Sequence, residues 1–350
     1  MADTLKTGLI LSGGGAKGAF AVGVVQYLYQ AFRSTGWFSV IGGTSTGALI
    51  APMAAMMGAP DERADQALET LKAIYTSVTT ADILEKQCFF EFLGRQDCFY
   101  ESDPLHDLVH RHFTPDMFAF LREDPTVYTY VVYTNFQDGR KYAVSPKDDG
   151  MDYQGFIQAM LASASVPVVM EATRINDAAC YDGGVRDLLP FSHAIKQGAD
   201  VLVPVFLDPD RFPATRNRFR RMDKVLLRTL SILVDEAGRN DYEMAQLINI
   251  AIRARRELDD ALKEHPALRL ALQQILAKPE YAPLFGPEKR LIKIVSGLRP
   301  AQPLTDNSLE FDPVKMRMWL KQGYQVAERV LPGSPFIAEP QADLRASLNI

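Results

Sequence analysis

Gly43-Thr44-Ser45-Thr46-Gly47 sets a serine in the frame Gly-x-Ser-x-Gly, between the apolar run Phe38-Ser39-Val40-Ile41 and the helix-like Ala48-Leu49-Ile50-Ala51. Strand, tight turn, serine and helix is the layout that lifts a hydroxyl off a strand end as a nucleophile. Gly43 and Gly47 leave room for a strained turn. A helix opening directly after Ser45 aims backbone N–H groups and a positive dipole end at any anion formed there. The pentapeptide also arises by chance in glycine-rich loops, so its neighbours decide its weight.

Upstream, Gly8-Leu9-Ile10-Leu11 reads as a short buried strand and runs into Ser12-Gly13-Gly14-Gly15-Ala16-Lys17-Gly18. The segment Ala19 to Leu28 follows as a helix apolar on most faces, hence buried. Three successive glycines let N–H groups converge on an anion, and in acyl transfer that anion is the oxyanion of the tetrahedral intermediate. The same residues satisfy Gly-x-Gly-x-x-Gly, the fingerprint of a dinucleotide site, which wants an acidic residue about 20 positions on for the ribose. No Asp or Glu lies between Asp3 and Asp61, and Arg33 leaves only a 2′-phosphate variant open. A nucleotide-binding protein using this loop is therefore the alternative from another class. A P-loop fails, since Gly18 and not Ser or Thr follows Lys17. The third piece is Tyr181-Asp182-Gly183-Gly184, after Ala162-Ser163-Ala164-Ser165-Val166-Pro167; a carboxylate ahead of two glycines suits an acid held on a turn, and equally an ordinary turn.

Together the boxes Gly13–Gly18, Gly43–Gly47, Ala162–Pro167 and Asp182–Gly184 resemble those of the patatin-like phospholipase family, in its order and near its spacing. The resemblance spans roughly the first 200 residues and extends more loosely beyond. It implies a Ser–Asp dyad, with Ser45 as nucleophile and Asp182 as the proton acceptor. It also implies an oxyanion hole from the Gly13, Gly14 and Gly15 backbone, and places Lys17 at the basic position of the glycine-rich box. Gly18, Gly43, Gly47, Gly183 and Gly184 complete the motifs.

A serine hydrolase more often uses a histidine between serine and acid. Chain order would admit His193 or His265. His193 reads as the start of a helix in a surface or capping role, and His265 as an exposed helix end before Pro266. His106 and His110 share a helical face, yet Leu105, Leu108 and Val109 beside them spell an ordinary amphipathic helix and no His-Glu-x-x-His pattern is present. The dyad needs neither metal nor cofactor. It does need Asp182 shielded from water, because a carboxylate at its usual pKa of about 3.9 is a weak base. The expected substrates are fatty acyl esters of phospholipids or lysophospholipids, with a carboxylesterase or thioesterase for small acyl esters as the rival enzyme.

With 350 residues, 47% apolar content and 23% charge, the chain is of globular type; a net charge of −5 argues against nucleic-acid binding. Three cysteines (Cys88, Cys98, Cys180) without metal spacing read as thiols of a reducing compartment. No basic leader with an apolar core and no long apolar span is evident, so a cytoplasmic protein with at most peripheral membrane contact is expected. Oligomeric state is left open.

The elements that must position these residues alternate as strand and helix. Val127 to Thr134 is a β-branched and aromatic strand, paired with Lys141-Tyr142-Ala143-Val144 across the Asp138-Gly139 turn. Val201 to Leu207 is another, with Pro204 pointing to a sheet edge, and Leu291 to Val295 is a returning strand. Asp61 to Thr76 and Pro313 to Val330 read as helices. Leu227, Leu230, Val234, Ala237, Leu247, Ile248 and Ala251 keep helical spacing and are expected to pack on the core. The aromatic stretch Cys88–Tyr100 is a candidate lid, with ordinary core as the equal alternative. The cluster Arg216, Arg218, Arg220, Arg221 and Lys224, around Phe219 and Met222, is a candidate lipid dock, although a solvated helix start explains it as well. The expected fold is a three-layer α/β/α sandwich on a central, mostly parallel sheet at 1–208, with a mainly helical part at 209–350 packing on it.

Overall fold

The computed structural model describes residues 5–34, 36–86, 100–211, 214, 220, 222–285, 292–295, 297–305 and 307–332. Its strands are β1 Thr7–Leu11, β2 Val40–Thr44, β3 Glu85–Lys86, β4 Tyr100–Glu101, β5 Tyr128–Asn135, β6 Arg140–Val144, β7 Thr173–Ile175, β8 Ala178–Asp182, β9 Val201–Val205 and β10 Lys293–Ile294. The helices are α1 Gly18–Phe32, α2 Thr46–Met56, α3 Arg63–Ser77, α4 Asp103–His112, α5 Pro115–Glu123, α6 Tyr153–Ala164, α7 Phe191–Lys196, α8 Met222–Ala261, α9 Pro266–Leu276, α10 Ala282–Phe285 and α11 Pro313–Val330.

One sheet runs β10-β9-β1-β2-β5-β8-β7, with β6 also on β5; β3 and β4 form a separate ribbon. The members from β10 to β5 are parallel, while β6, β7 and β8 join antiparallel. Alternation decides which layer each strand residue feeds. Leu9, Leu11, Ile41, Val131 and Val203 enter the large core under α1, α2 and α6, and Ile10, Val40, Tyr130 and Leu202 enter a smaller one with Phe191 and Ala194 of α7. Both faces are covered, which is why β1, β2 and β9 are continuously buried. The architecture is the α/β fold with a helical C-terminal part that the sequence suggested.

The C-terminal part reaches back into this core. β10 pairs with β9, and α11 crosses α1 so closely that a Cβ on Gly23 would strike the Leu320 carbonyl and one on Gly323 the Phe20 carbonyl. The hairpin of β5 and β6 forms as read.

Two expectations need correction. Pro204 does not mark an outer strand, since β9 is flanked by β1 along its length and by β10 at Val201 and Leu202. Leu202 O accepts from Val295 N and Phe206 N donates to Leu298 O, so Pro204 faces the same side just past the end of the short β10 ladder, where its missing N–H costs nothing. Nor does the apolar spacing of α8 bury its residues: Leu247 is 49% exposed and Leu230, Val234, Ala237, Ile248 and Ala251 are half-buried. At about 1.5 Å per residue this 40-residue helix outruns the core it would have to cover. Leu227's side chain, residues 88–99 of the candidate lid, and Arg216, Arg218, Phe219 and Arg221 lie outside the described residues.

Replacing Gly323 by Val should separate α11 from α1 at a cost of about 1–3 kcal/mol, read as a lower midpoint in urea unfolding. An unchanged midpoint would show that the crossing is not tight.

Candidate active site

The register of β5 explains why Ser45 and Asp182 meet. Val131 and Val132 pair with both β2 and β6, and Tyr133 and Thr134 pair with both β6 and β8. A strand residue has one partner per side, so β2 and β8 occupy the same edge of β5, end to end. β2 finishes with Thr44 opposite Val132, and β8 arrives from the other direction to finish with Asp182 opposite Tyr133. Ser45 follows Thr44 directly.

Ser45 has φ 57° and ψ −127°, a strained backbone for a residue with a side chain, and it caps α2. The bend brings Gly43 so close to Gly47 that a Cβ on Gly43 would strike the Gly47 carbonyl. Two bonds hold it. Ser45 N–H donates to Ser163 Oγ at 2.9 Å, and Ser163 Oγ donates to the Val132 carbonyl at 2.5 Å; the Ser45 hydroxyl stands beside the Asp182 carboxyl and lowers its pKa. Asp182 is fixed in turn: its N–H donates to the Ser165 carbonyl at 2.8 Å, and its Oδ1 accepts from Gly184 N–H at 2.7 Å. Burial pushes the Asp182 carboxyl up to about 6, against the lowering effect of the Ser45 and Gly184 hydrogen bonds. The shielding expected from the sequence is thus present, and it brings the acid close to the range of a general base at neutral pH.

Gly13, Gly14 and Gly15 pass beside the serine, with the Cβ site of Gly13 only 2.8 Å from Ser45 Cβ. Their N–H groups make no hydrogen bond to any described residue, nor do those of Thr46 and Gly47 at the first turn of α2. Gly15 has φ +55°, and a side chain there would strike the Ser308 carbonyl, which accepts from Ala16 N–H at 2.8 Å. Lys17 is buried and does not face Ser45. Its Nζ bonds Asp208 Oδ2 at 2.5 Å, tying the glycine loop to the chain leaving β9.

From Ser45 and Gly15 opens a narrow channel of about 90 Å³ with an almost wholly apolar wall. Leu49 and Met53 of α2, Ile74 of α3, Val109 of α4, and Leu309 and Phe311 from the C-terminal part line it. Sequence reasoning missed Leu309, Phe311, Asp208 and Ser308; it singled out Ser163 and Ser165 within the Ala162–Pro167 box but gave them no role there. On the other face of the sheet, Asp187 of the turn after Asp182 is buried, bonded by Lys141 Nζ and met by Asp241 of α8, whose carboxyl is pushed up by burial and by Asp187.

His193, His265 and His106 stand apart from Ser45 and Asp182, whereas His112 of α4 lines the channel that opens from Ser45. His193 Nε2 lies 3.1 Å from Tyr128 Oη and its ring 4.4 Å from that of Tyr130, in the smaller core. His265 is exposed at the start of α9, and His106 faces Ser102 at 3.5 Å. Among the described residues no group of three or more His, Cys, Asp or Glu is placed to hold a metal. Cys180 is buried and free; Cys88 and Cys98 lie outside the described residues.

A family model, patatin-like phospholipase, matches residues 9–195, over half of the chain and spanning every element of this site except Ser308, Leu309, Phe311, Asp208 and Asp241. The chain belongs to the patatin-like phospholipase family. It is a lipid acyl hydrolase by that membership. Among solved structures it is similar to VipD from Legionella pneumophila (15% identity, TM-score 0.39, covering 95% of this chain and 68% of that one). It is also similar to the type III effector protein ExoU (16% identity, TM-score 0.28, covering 94% and 77%). The assignment rests on the family match. No helix among the described residues is long and apolar enough to cross a membrane.

A carboxyl whose folded pKa lies above its unfolded value stabilises the fold below the unfolded pKa, and that contribution is lost as pH rises through the folded one. For Asp182 the window runs from about 4 to about 6, and the loss is on the order of 3 kcal/mol. Asp182→Asn cannot ionise, so it should lose turnover yet unfold at a higher temperature than wild type at pH 7.5, with the gap closing towards pH 4. Equal stability at both pH values would refute a strained, ionised Asp182.

Proposed function

We propose that Ser45 is the nucleophile and Asp182 the base of a two-residue hydrolase acting on fatty acyl esters of phospholipids or lysophospholipids. The observation that carries this reading is the apolar channel opening on a serine hydroxyl beside a buried carboxyl group. Asp182 accepts the Ser45 proton as Oγ attacks the ester carbonyl. The N–H groups of Gly13, Gly14 and Gly15 receive the oxyanion, the alcohol leaves, and water releases the acyl group through the same carboxylate. The acyl chain lies along Leu49, Met53 and Phe311, while the headgroup stays outside the mouth, at or near a membrane surface. Gly18, Gly43, Gly47, Gly183 and Gly184 shape the two turns, and Lys17 holds the glycine loop through Asp208. The catalytic unit is the α/β core of residues 1–208, with Leu309 and Phe311 completing the channel wall.

Esters of graded acyl length, with mixed micelles of lysophospholipid alongside, test this. Ser45→Ala should lose about 10³-fold or more in kcat, while His193→Ala stays within about twofold of wild type because its ring serves Tyr128 and Tyr130. Leu309→Trp should move the optimum to shorter chains without lowering turnover of acetyl esters. A loss of about 10³ in His193→Ala would restore a histidine triad, and an unchanged chain-length profile in Leu309→Trp would remove the acyl chain from this channel.

A further inference from the structure

The proposed chemistry leaves the longest element unused. α8 meets the body along one side: Gly238 packs on Leu188, Asn249 exchanges two hydrogen bonds with the Ile292 backbone, and Ile252 is buried. Around the helix from that side runs an internal pattern, partly covered by the body at Leu226, Leu230, Ala237 and Ala251. Starting at Leu226 and stepping four and three residues alternately, the chain reaches 230, 233, 237, 240, 244, 247, 251, 254, 258 and 261, and Asn240 is the one polar residue met. Leu233 (59%), Met244 (54%), Leu247 (49%) and Leu258 (49%) on this line are open to water. A helix that simply lies on a core repeats every 3.6 residues; a strict 3.5 repeat over five heptads is the seam of two helices wound about each other.

The flanks and the sizes along the seam select the occupant. Exposed Glu236 and Glu243 border it, which suits the edge of a helix pair and opposes burial in an anionic bilayer. Set against a second α8 in parallel, the seam would stack Ala237, Ala251, Ala254 and Ala261 each on itself, leaving gaps. Antiparallel, with paired residue numbers summing to 484, every layer joins an a-type to a d-type position. Leu226 meets Leu258, Leu230 meets Ala254, Leu233 meets Ala251, Ala237 meets Leu247 and Asn240 meets Met244, so that no alanine faces an alanine. The centre of that register, residue 242, is also the middle of α8, so the two helices overlap over their whole length.

We propose that α8 is a dimerisation helix and that its exposed seam is covered by α8 of a second copy, antiparallel, in an isologous two-fold contact. In this register Glu243 faces its own copy across the axis, a small repulsion that the leucine layers outweigh.

Sedimentation of the full chain across a micromolar concentration range should show a monomer–dimer equilibrium. The double variant Leu233→Glu/Leu247→Glu should be monomeric while keeping wild-type ester turnover, since both side chains are exposed and neither lines the channel. Glu243→Gln should tighten the dimer about twofold. Under mild oxidation, Leu233→Cys/Ala251→Cys should give a covalent dimer that wild type and each single variant do not. A wild-type monomer at high micromolar concentration, or a dimer indifferent to Leu233→Glu/Leu247→Glu, would overturn the proposal. Cross-linking by either single cysteine variant would overturn the antiparallel register. A monomer that pellets with phosphatidylglycerol vesicles through the same leucines would assign the seam to lipid instead.

Discussion

One edge of β5 carries two strands end to end, β2 running parallel to it and β8 antiparallel, and Ser45 and Asp182 stand at the junction. Backbone pairing, rather than side-chain contact, sets the distance between Ser45 and Asp182. The pairing is in turn pinned by which β5 side chains enter which core: Val131 one way, Tyr130 and Val132 the other. A slip by one residue would exchange those faces, so apolar burial enforces the register that brings Ser45 and Asp182 together. Ser163 locks the junction by joining the Ser45 N–H to the Val132 carbonyl, the β5 residue opposite the end of β2.

Holding a carboxyl at this junction is costly to stability and useful to chemistry for the same reason. Burial that lifts Asp182 to about 6 makes it a better base than any exposed aspartate. The strained backbone of Ser45 is a second cost, and the core around α1, α2 and α6 offsets both. The C-terminal part shares in this. Ser308 seats the glycine loop, Leu309 and Phe311 line the channel, and α8 bears on the turn after Asp182 through Gly238 and Asp241.

What could be read in the sequence was local. The glycine boxes, the elbow around Ser45, the β5–β6 hairpin and the last helix each declare themselves within a few residues, through turn chemistry or periodicity. What could not be read depends on partners distant in the chain. Pro204 sits inside the sheet because β10 is only two residues long, a fact recorded some 90 residues later. Lys17 carries no sign that Asp208 awaits it. Leu247 has the spacing of a core residue, and spacing alone does not say which surface a helix turns inward. The histidines show the limit from the other side: order along the chain admitted His193, and only the fold places it against Tyr128 and Tyr130.

The central claim is that Ser45 is activated by Asp182 with no histidine between them. The rate of covalent labelling by a fluorophosphonate, followed against pH and mapped by peptide mass, tests it most directly. The account predicts modification at Ser45 alone, rising through a single ionisation near pH 6, unchanged in His193→Ala and absent in Asp182→Asn. Labelling that persists in Asp182→Asn, or a pH limb that disappears with His193, would contradict it.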